Sequence, residues 1–344
     1  MLVATALRSH IWVLLAAVSG FAGCALIPTN PGYSCRTFGD MPGPEDIEVD
    51  TSAAGPRLIV SSLERRTAKA EGAIFAVPLP EGGPIQPFEI VGRDNVRFSP
   101  HGISLVYSEG WRLYVINHVS PCCHVIEIFE VKGSQLIFVD RLASTLLTSP
   151  NDLVALADGQ IYLTNMGWTR GLLGLLGLLF AVPNGDVVHY KDGRWTVAAD
   201  GIAYANGIAI NRSGDTLYVA ATREKAIAVF PRNRETGTLD PRVESIDIGS
   251  GVDNLSWADS NTLIVAAHPK LLALARHSRD EAHVAPSQIY SVSVRSLDGE
   301  PRVKLVYEDN GCAVSAASTG IQWNGALYMG QIFNRGITVC RSRS

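Results

Sequence analysis

The chain has 344 residues, of which 47% are hydrophobic and 18% charged, enough to bury one large core or two smaller ones. A formal charge of −4 and an isoelectric point near 6.1 leave no basic surface, which argues against a nucleic-acid partner. The 32 glycines suit a fold with many tight turns.

The first element in chain order is a targeting segment over residues 1–27. Arg8 precedes an apolar run from Ile11 to Ile27 that Pro28 closes. The run is short for a membrane span and fits a signal peptide or a retained anchor. "GFAGC", ending at Cys24, resembles a lipoprotein box, with Phe21 where leucine is usual. Each alternative places the rest of the protein outside the cytoplasm, secreted or anchored, where disulfides form. A bridge from Cys35 to Cys340 would tie the first strand to the last. Cys122, Cys123 and Cys312 are left for packing or a further bridge. Adjacent cysteines on a strand point to opposite faces, which disfavours a metal site at "CCH" (122–124).

Beyond residue 40 helical periodicity is scarce, and short apolar or alternating runs separated by turn residues predict strands. Six segments share one pattern: two polar or glycine residues, an alternating strand, a turn and a second apolar strand. They start at Glu45, His101, Asn151, Asn206, Asp253 and Thr319, which are 56, 50, 55, 47 and 66 residues apart. That spacing suits a four-stranded blade with a variable loop. The expected fold is all-β: a six-bladed β-propeller over 35–340 whose shared strands line a central channel. The absence of strand–helix alternation excludes a two-domain α/β plan.

In such a ring the strand starts meet at one mouth of the channel. Glu45, Asn151, Asn206 and Asp253, with Asp46, Asp152 and Asn254 in the second position, gather carboxylates and amide carbonyls at one place. Oxygen-only ligation suits calcium better than zinc, which prefers nitrogen and sulfur. Asn-Asp, Asn-Gly and Asp-Asn pairs also favour turns, so the argument rests on their recurrence in register. His101 occupies the same column, and His118 ends the partner strand of its hairpin.

The segments "PEDIEVD", "SPHGIS", "LYVINH", "NDLVAL", "YANGIAI" and "VDNLSW" resemble, in order, the signature segments of the paraoxonase/arylesterase family. The resemblance implies a six-bladed propeller that holds two calcium ions and hydrolyses lactones and aryl esters. It implies that Glu45, Asn151, Asn206, Asp253 and Asn254 hold a catalytic calcium. Asp46, Asp152 and the carbonyl of Ile103 would hold a structural one. His101 would act as general base with His118 as relay, and Cys35–Cys340 would be the family disulfide. With only two formal charges on its ligands the catalytic ion stays electrophilic, and histidine supplies a base near neutrality.

Two places depart from the family pattern. Met166 and Gly167 follow "YLTN" where Asp-His is typical, which puts phosphotriesterase activity in doubt. "GLLGLLGLLF" (171–180) takes the place of an amphipathic lid helix. It reads as a buried loop, or as a lid or lipid-docking surface helped by Trp168 and selecting lipophilic substrates. His268 reads as a loop histidine or a pocket-lining one. Asn211, in "NRS", is a glycan acceptor only in a eukaryotic host. A lactonase of the gluconolactonase or strictosidine synthase-like group, and a calcium-stabilised binding propeller without turnover, are the competing readings.

Overall fold

The repeats fold as six sheets, each built on four antiparallel strands. The computed structural model describes residues 32–343 except 53–54, 68, 121–122, 168–179 and 295–298. The 1–27 segment, Cys24, Cys122, Trp168 and 171–179 therefore lie outside the described residues. Among the described residues no helix is long and apolar enough to cross a membrane; the helix Leu271–His277 has seven residues.

Each blade begins at the axis with a short β-rich run: Pro44–Asp50, Pro100–Tyr107, Pro150–Ala155, Ala205–Ile210, Gly251–Trp257 and Ala317–Trp323. A turn returns the chain into a second strand, respectively Arg57–Ser62, Trp111–Ser120, Ile161–Asn165, Thr216–Ala221, Thr262–His268 and Ala326–Gln331. Two further strands complete each sheet outward, and in the second blade Glu89–Val91 adds a parallel fifth. Each inner strand packs on the inner strands of both neighbouring blades, so the six close a ring.

The second strands are buried on both faces, which explains their near-continuous apolar sequence. Leu58, Ile59 and Val60 are wholly buried, as are Leu113, Val115 and Ile116. The buried apolar side chains group into clusters that each join two adjacent blades. Ile59 and Ile74 of the first blade meet Ile103, Leu113 and Phe129 of the second, and the other five interfaces repeat the arrangement. At roughly 1.5–3 kcal/mol per buried large aliphatic side chain, these seams between blades supply the main driving force for closure.

The last sheet closes the ring with both ends of the chain. Tyr33–Pro42 pairs as its outermost strand with Arg335–Ser342, and Cys35 faces Cys340 directly in that register. The two form a disulfide. Cys312 is also disulfide-bonded.

Candidate active site

Every inner strand opens with a β-bulge. The register shifts between Pro44 and Asp46, Pro100 and Ile103, Pro150 and Leu153, Ala205 and Ile208, Val252 and Leu255, and Ala317 and Gly320. A bulge re-aims the residues inside it. The bulges hold Glu45-Asp46, His101-Gly102, Asn151-Asp152, Asn206-Gly207, Asp253-Asn254 and Ser318-Thr319. Five of the six expected starts stand in the first position. The sixth is shifted by one residue: Ser318, not Thr319, matches Asn206 and Asp253. "TGI" imitates "NGI" in sequence, but the pairing aligns Gly320 with Ile208.

The second position alternates bulky and small around most of the ring, for a steric reason. A Cβ on Gly102 would lie 2.6 Å from both the Asn151 carbonyl oxygen and the Asp152 Cα. One on Gly207 would lie 2.6 Å from the Asp253 carbonyl oxygen and the Asn254 Cα. Neighbouring inner strands approach so closely there that only glycine fits. The intervening aspartates stitch blades together. Asp46 accepts the N–H of Ile47 at 2.8 Å and, across the blade boundary, that of Ile103 at 2.8 Å. Asp152 does the same with Leu153 at 2.7 Å and Ile208 at 2.9 Å.

The three asparagine amides share one orientation rule: the NH2 group is engaged and the oxygen is not. Asn151 Nδ2 contacts Met166 Sδ at 3.3 Å, Asn206 Nδ2 donates to Thr222 Oγ1 at 3.1 Å, and Asn254 Nδ2 donates to Glu45 Oε1 at 3.1 Å. Asn151 Oδ1, Asn206 Oδ1, Asn254 Oδ1 and Glu45 Oε2 are buried without a hydrogen-bond partner. Unsatisfied buried polar groups are rare in native folds, and these four are all oxygens of residues in the bulges that open the inner strands. The donor set fits a hard cation such as calcium. Among the described residues no three His, Cys, Asp or Glu side chains cluster as a metal site; here much of the ligand set is amide oxygen.

The charges behave accordingly. Burial, then repulsion from Glu45, pushes the Asp46 carboxyl well above the ordinary range, and burial and Asp46 do the same to Asp152. Burial also raises Asp253, against the hydrogen bond from His268. Glu45 is opposed by burial but ends below its ordinary value, because His101 and Arg65 stand beside it.

His101 Nε2 lies 3.5 Å from Glu45 Oε2, and its Nδ1 is 2.8 Å from His118 Nε2. The inner and second strands of the blade thus bring the two histidines into direct contact. Ile103 meets Asp46 through its N–H.

Two residues at the site, Arg65 and Tyr204, escape the sequence reading, and for a third, His268, the structure decides between loop and pocket. His268 is not a loop residue: it ends its strand, is buried, and its Nε2 is 2.6 Å from Asp253 Oδ2. The signal was present, since "LYVINH" and "LIVAAH" place histidine at equivalent positions of two second strands, one residue past the pairs Pro100–Asn117 and Val252–Ala267, although the first strand runs on to Ser120. Arg65 anchors Nη1 on the carbonyls of Gly43 and Leu63 and brings Nη2 to 3.8 Å from Glu45 Oε2. Tyr204, at φ 66°, has its phenol pushed up to about 12 by burial and by Asp253 and Glu45. Asn211 is no glycan acceptor here: it is buried, and its amide donates to Asp215 Oδ1 at 2.7 Å.

Comparison with known proteins is consistent with this geometry. Residues 58–340 match the family model described as Arylesterase. The chain is 29% identical over 322 residues to serum paraoxonase/lactonase 3 of Homo sapiens, covering 90% of this chain and 88% of that protein. To serum paraoxonase/arylesterase 1 of Homo sapiens it is 27% identical over 317 residues, covering 86% and 85%. Among solved structures it resembles a calcium-binding protein, regucalcin, from Agrobacterium tumefaciens, with a TM-score of 0.56, 11% identity, and 90% and 93% of the two chains covered.

Proposed function

Because the chain belongs to the arylesterase family and is an ester and lactone hydrolase, we propose that it opens lipophilic lactones, and aryl esters secondarily, at the bulged mouth of the propeller channel. The carrying observation is the set of four buried oxygens without hydrogen-bond partners. Glu45, Asn151, Asn206, Asp253 and Asn254 would hold a catalytic calcium. Asp46, Asp152 and the carbonyl of Ile103 would hold a second, structural one. When bound, calcium supplies charge that polarises the carbonyl and steadies the developing oxyanion.

The chain's own residues do the rest. Met166, Thr222 and Glu45 turn the three amides so that their oxygens remain available. His268 fixes the Asp253 carboxylate. His101 takes the proton of the attacking water at Nε2, and His118, bonded to Nδ1, orients the ring and relays the proton. Phe180, the described end of the apolar 171–180 run, is 72% exposed and supports a lid or lipid-facing surface. The Cys35–Cys340 disulfide and the word "serum" in the relatives' names support an extracytoplasmic location.

Turnover of short-chain, long-chain and sugar lactones, with and without chelator, tests the proposal. Calcium-dependent opening that favours long chains is expected. His101→Gln should lower kcat by about 10²-fold or more while keeping calcium-dependent thermal stability. A calcium-loaded protein inert to every lactone overturns the reading.

A further inference from the structure

The His101–His118 pair does not end at His118. His118 Nδ1 is 2.8 Å from Nδ1 of His124, and the ring centroids follow at 5.0 Å and 4.8 Å along the row. The row runs radially, from the inner strand of the second blade through the second strand to the third (Cys123–Lys132), close to one strand spacing per step. His124 is half-buried. It stands in the "CCH" segment, reached from His118 across the hairpin turn.

Each nitrogen–nitrogen contact accommodates one proton, so the tautomers of the three neutral rings are linked. When His101 Nε2 is the bare, basic nitrogen, His101 donates from Nδ1 to His118 Nε2. His118 then carries its proton on Nδ1 and donates it to Nδ1 of His124. The opposite set places a proton on His101 Nε2 and abolishes its basicity.

We propose that His124 is a positioning residue for hydrolysis: its Nδ1 lone pair holds His118, and through it His101, in the tautomer that can accept a proton. The inference rests on His101 being the base. In the balanced reaction His101 Nε2 takes one proton from water while the hydroxide portion forms the new carbon–oxygen bond. The ring carbon–oxygen bond breaks, and the alkoxide takes the proton of the new carboxyl group. One proton per ring opened remains on the histidine row, shared through the two contacts, and passes to bulk water.

Two variants separate this from a packing role: His124→Leu, which removes the acceptor, and His124→Asn, whose Oδ1 restores one near the Nδ1 position. With a saturating neutral lactone, His124→Leu should lower kcat about 10-fold or more with KM and the calcium-dependent melting temperature unchanged. His124→Asn should recover kcat to within about 3-fold of the parent. An unchanged kcat in His124→Leu overturns the inference, as does loss of kcat in both variants in step with lost melting temperature. His101→Gln is the control: if it retains full activity, the assignment of the base fails, whereas its inactivity beside a fully active His124→Leu defeats the row alone.

Discussion

Removing divalent cations should destabilise the fold by an amount that grows with pH. Four buried oxygens, Glu45 Oε2 and the Oδ1 atoms of Asn151, Asn206 and Asn254, lack hydrogen-bond partners, and each unsatisfied group costs about 1–3 kcal/mol. The sum is at least about 4 kcal/mol, a large part of a typical stability of about 5–15 kcal/mol. At roughly 2–4 °C per kcal/mol for a domain of this order, chelation should lower the melting temperature by about 10 °C. The pH dependence follows from Asp46, Asp152 and Asp253, whose carboxyls are raised, first by burial and then by neighbouring acids. Without the cation the folded state binds more protons than the unfolded one above the ordinary carboxylate range. Its stability therefore falls as pH rises through that window, by up to about 1.4 kcal/mol per pH unit for each such group. Differential scanning calorimetry with chelator and with excess calcium, at pH 5 and pH 8, measures the gap, which should widen at pH 8. A chelator-insensitive melt, or a gap that narrows with rising pH, refutes the assignment of these oxygens to a cation.

Glu48, two residues along the inner strand from Asp46 and adding to the repulsion on it, offers a related test: burial raises its carboxyl to about 7. A raised acid favours the fold below its ordinary pKa and loses that advantage as pH rises through the folded value. In chelated protein Glu48→Gln should be near neutral at pH 5 and stabilising by up to about 3 kcal/mol at pH 8, read by urea denaturation at both values. Gly102→Ala places a Cβ 2.6 Å from the Asn151 carbonyl oxygen and Asp152 Cα. Because those atoms belong to the bulge that presents the third blade's oxygens, it should cost about 1–3 kcal/mol and weaken calcium binding in a titration; unaltered calcium affinity would contradict the close contact.

The blades were legible because an alternating strand, a turn and an apolar strand recur at near-blade spacing, and because their seams demand continuous apolar second strands. Most of the residues that gather at the candidate site were legible too, since a bulge draws its residues from the strand start that the repeat already marks. What escaped did so for physical reasons. Thr319 was displaced by one residue because "TGI" mimics "NGI", and only backbone pairing fixes a bulge. Arg65 comes from the loop after a second strand, where no periodicity constrains the residue. His124 meets His118 through the pairing of two strands, and the sequence of "CCH" draws attention to its cysteines, not to a histidine whose partner only strand pairing brings alongside.

The closing sheet also dictates an order of events. Of the described strands Tyr33–Pro42 is made first, yet its partner is the last of them, Arg335–Ser342. A chain emerging from the ribosome can assemble five blades and their seams in sequence while the sixth sheet lacks its third strand. The sheet beside the mouth that gathers Glu45 with Asn254 and Ser318 therefore cannot be complete until Arg335–Ser342 has been made. A chain that stops short of Arg335–Ser342 lacks the strand that joins Tyr33–Pro42 to the ring, and bond formation between Cys35 and Cys340 locks those two strands together.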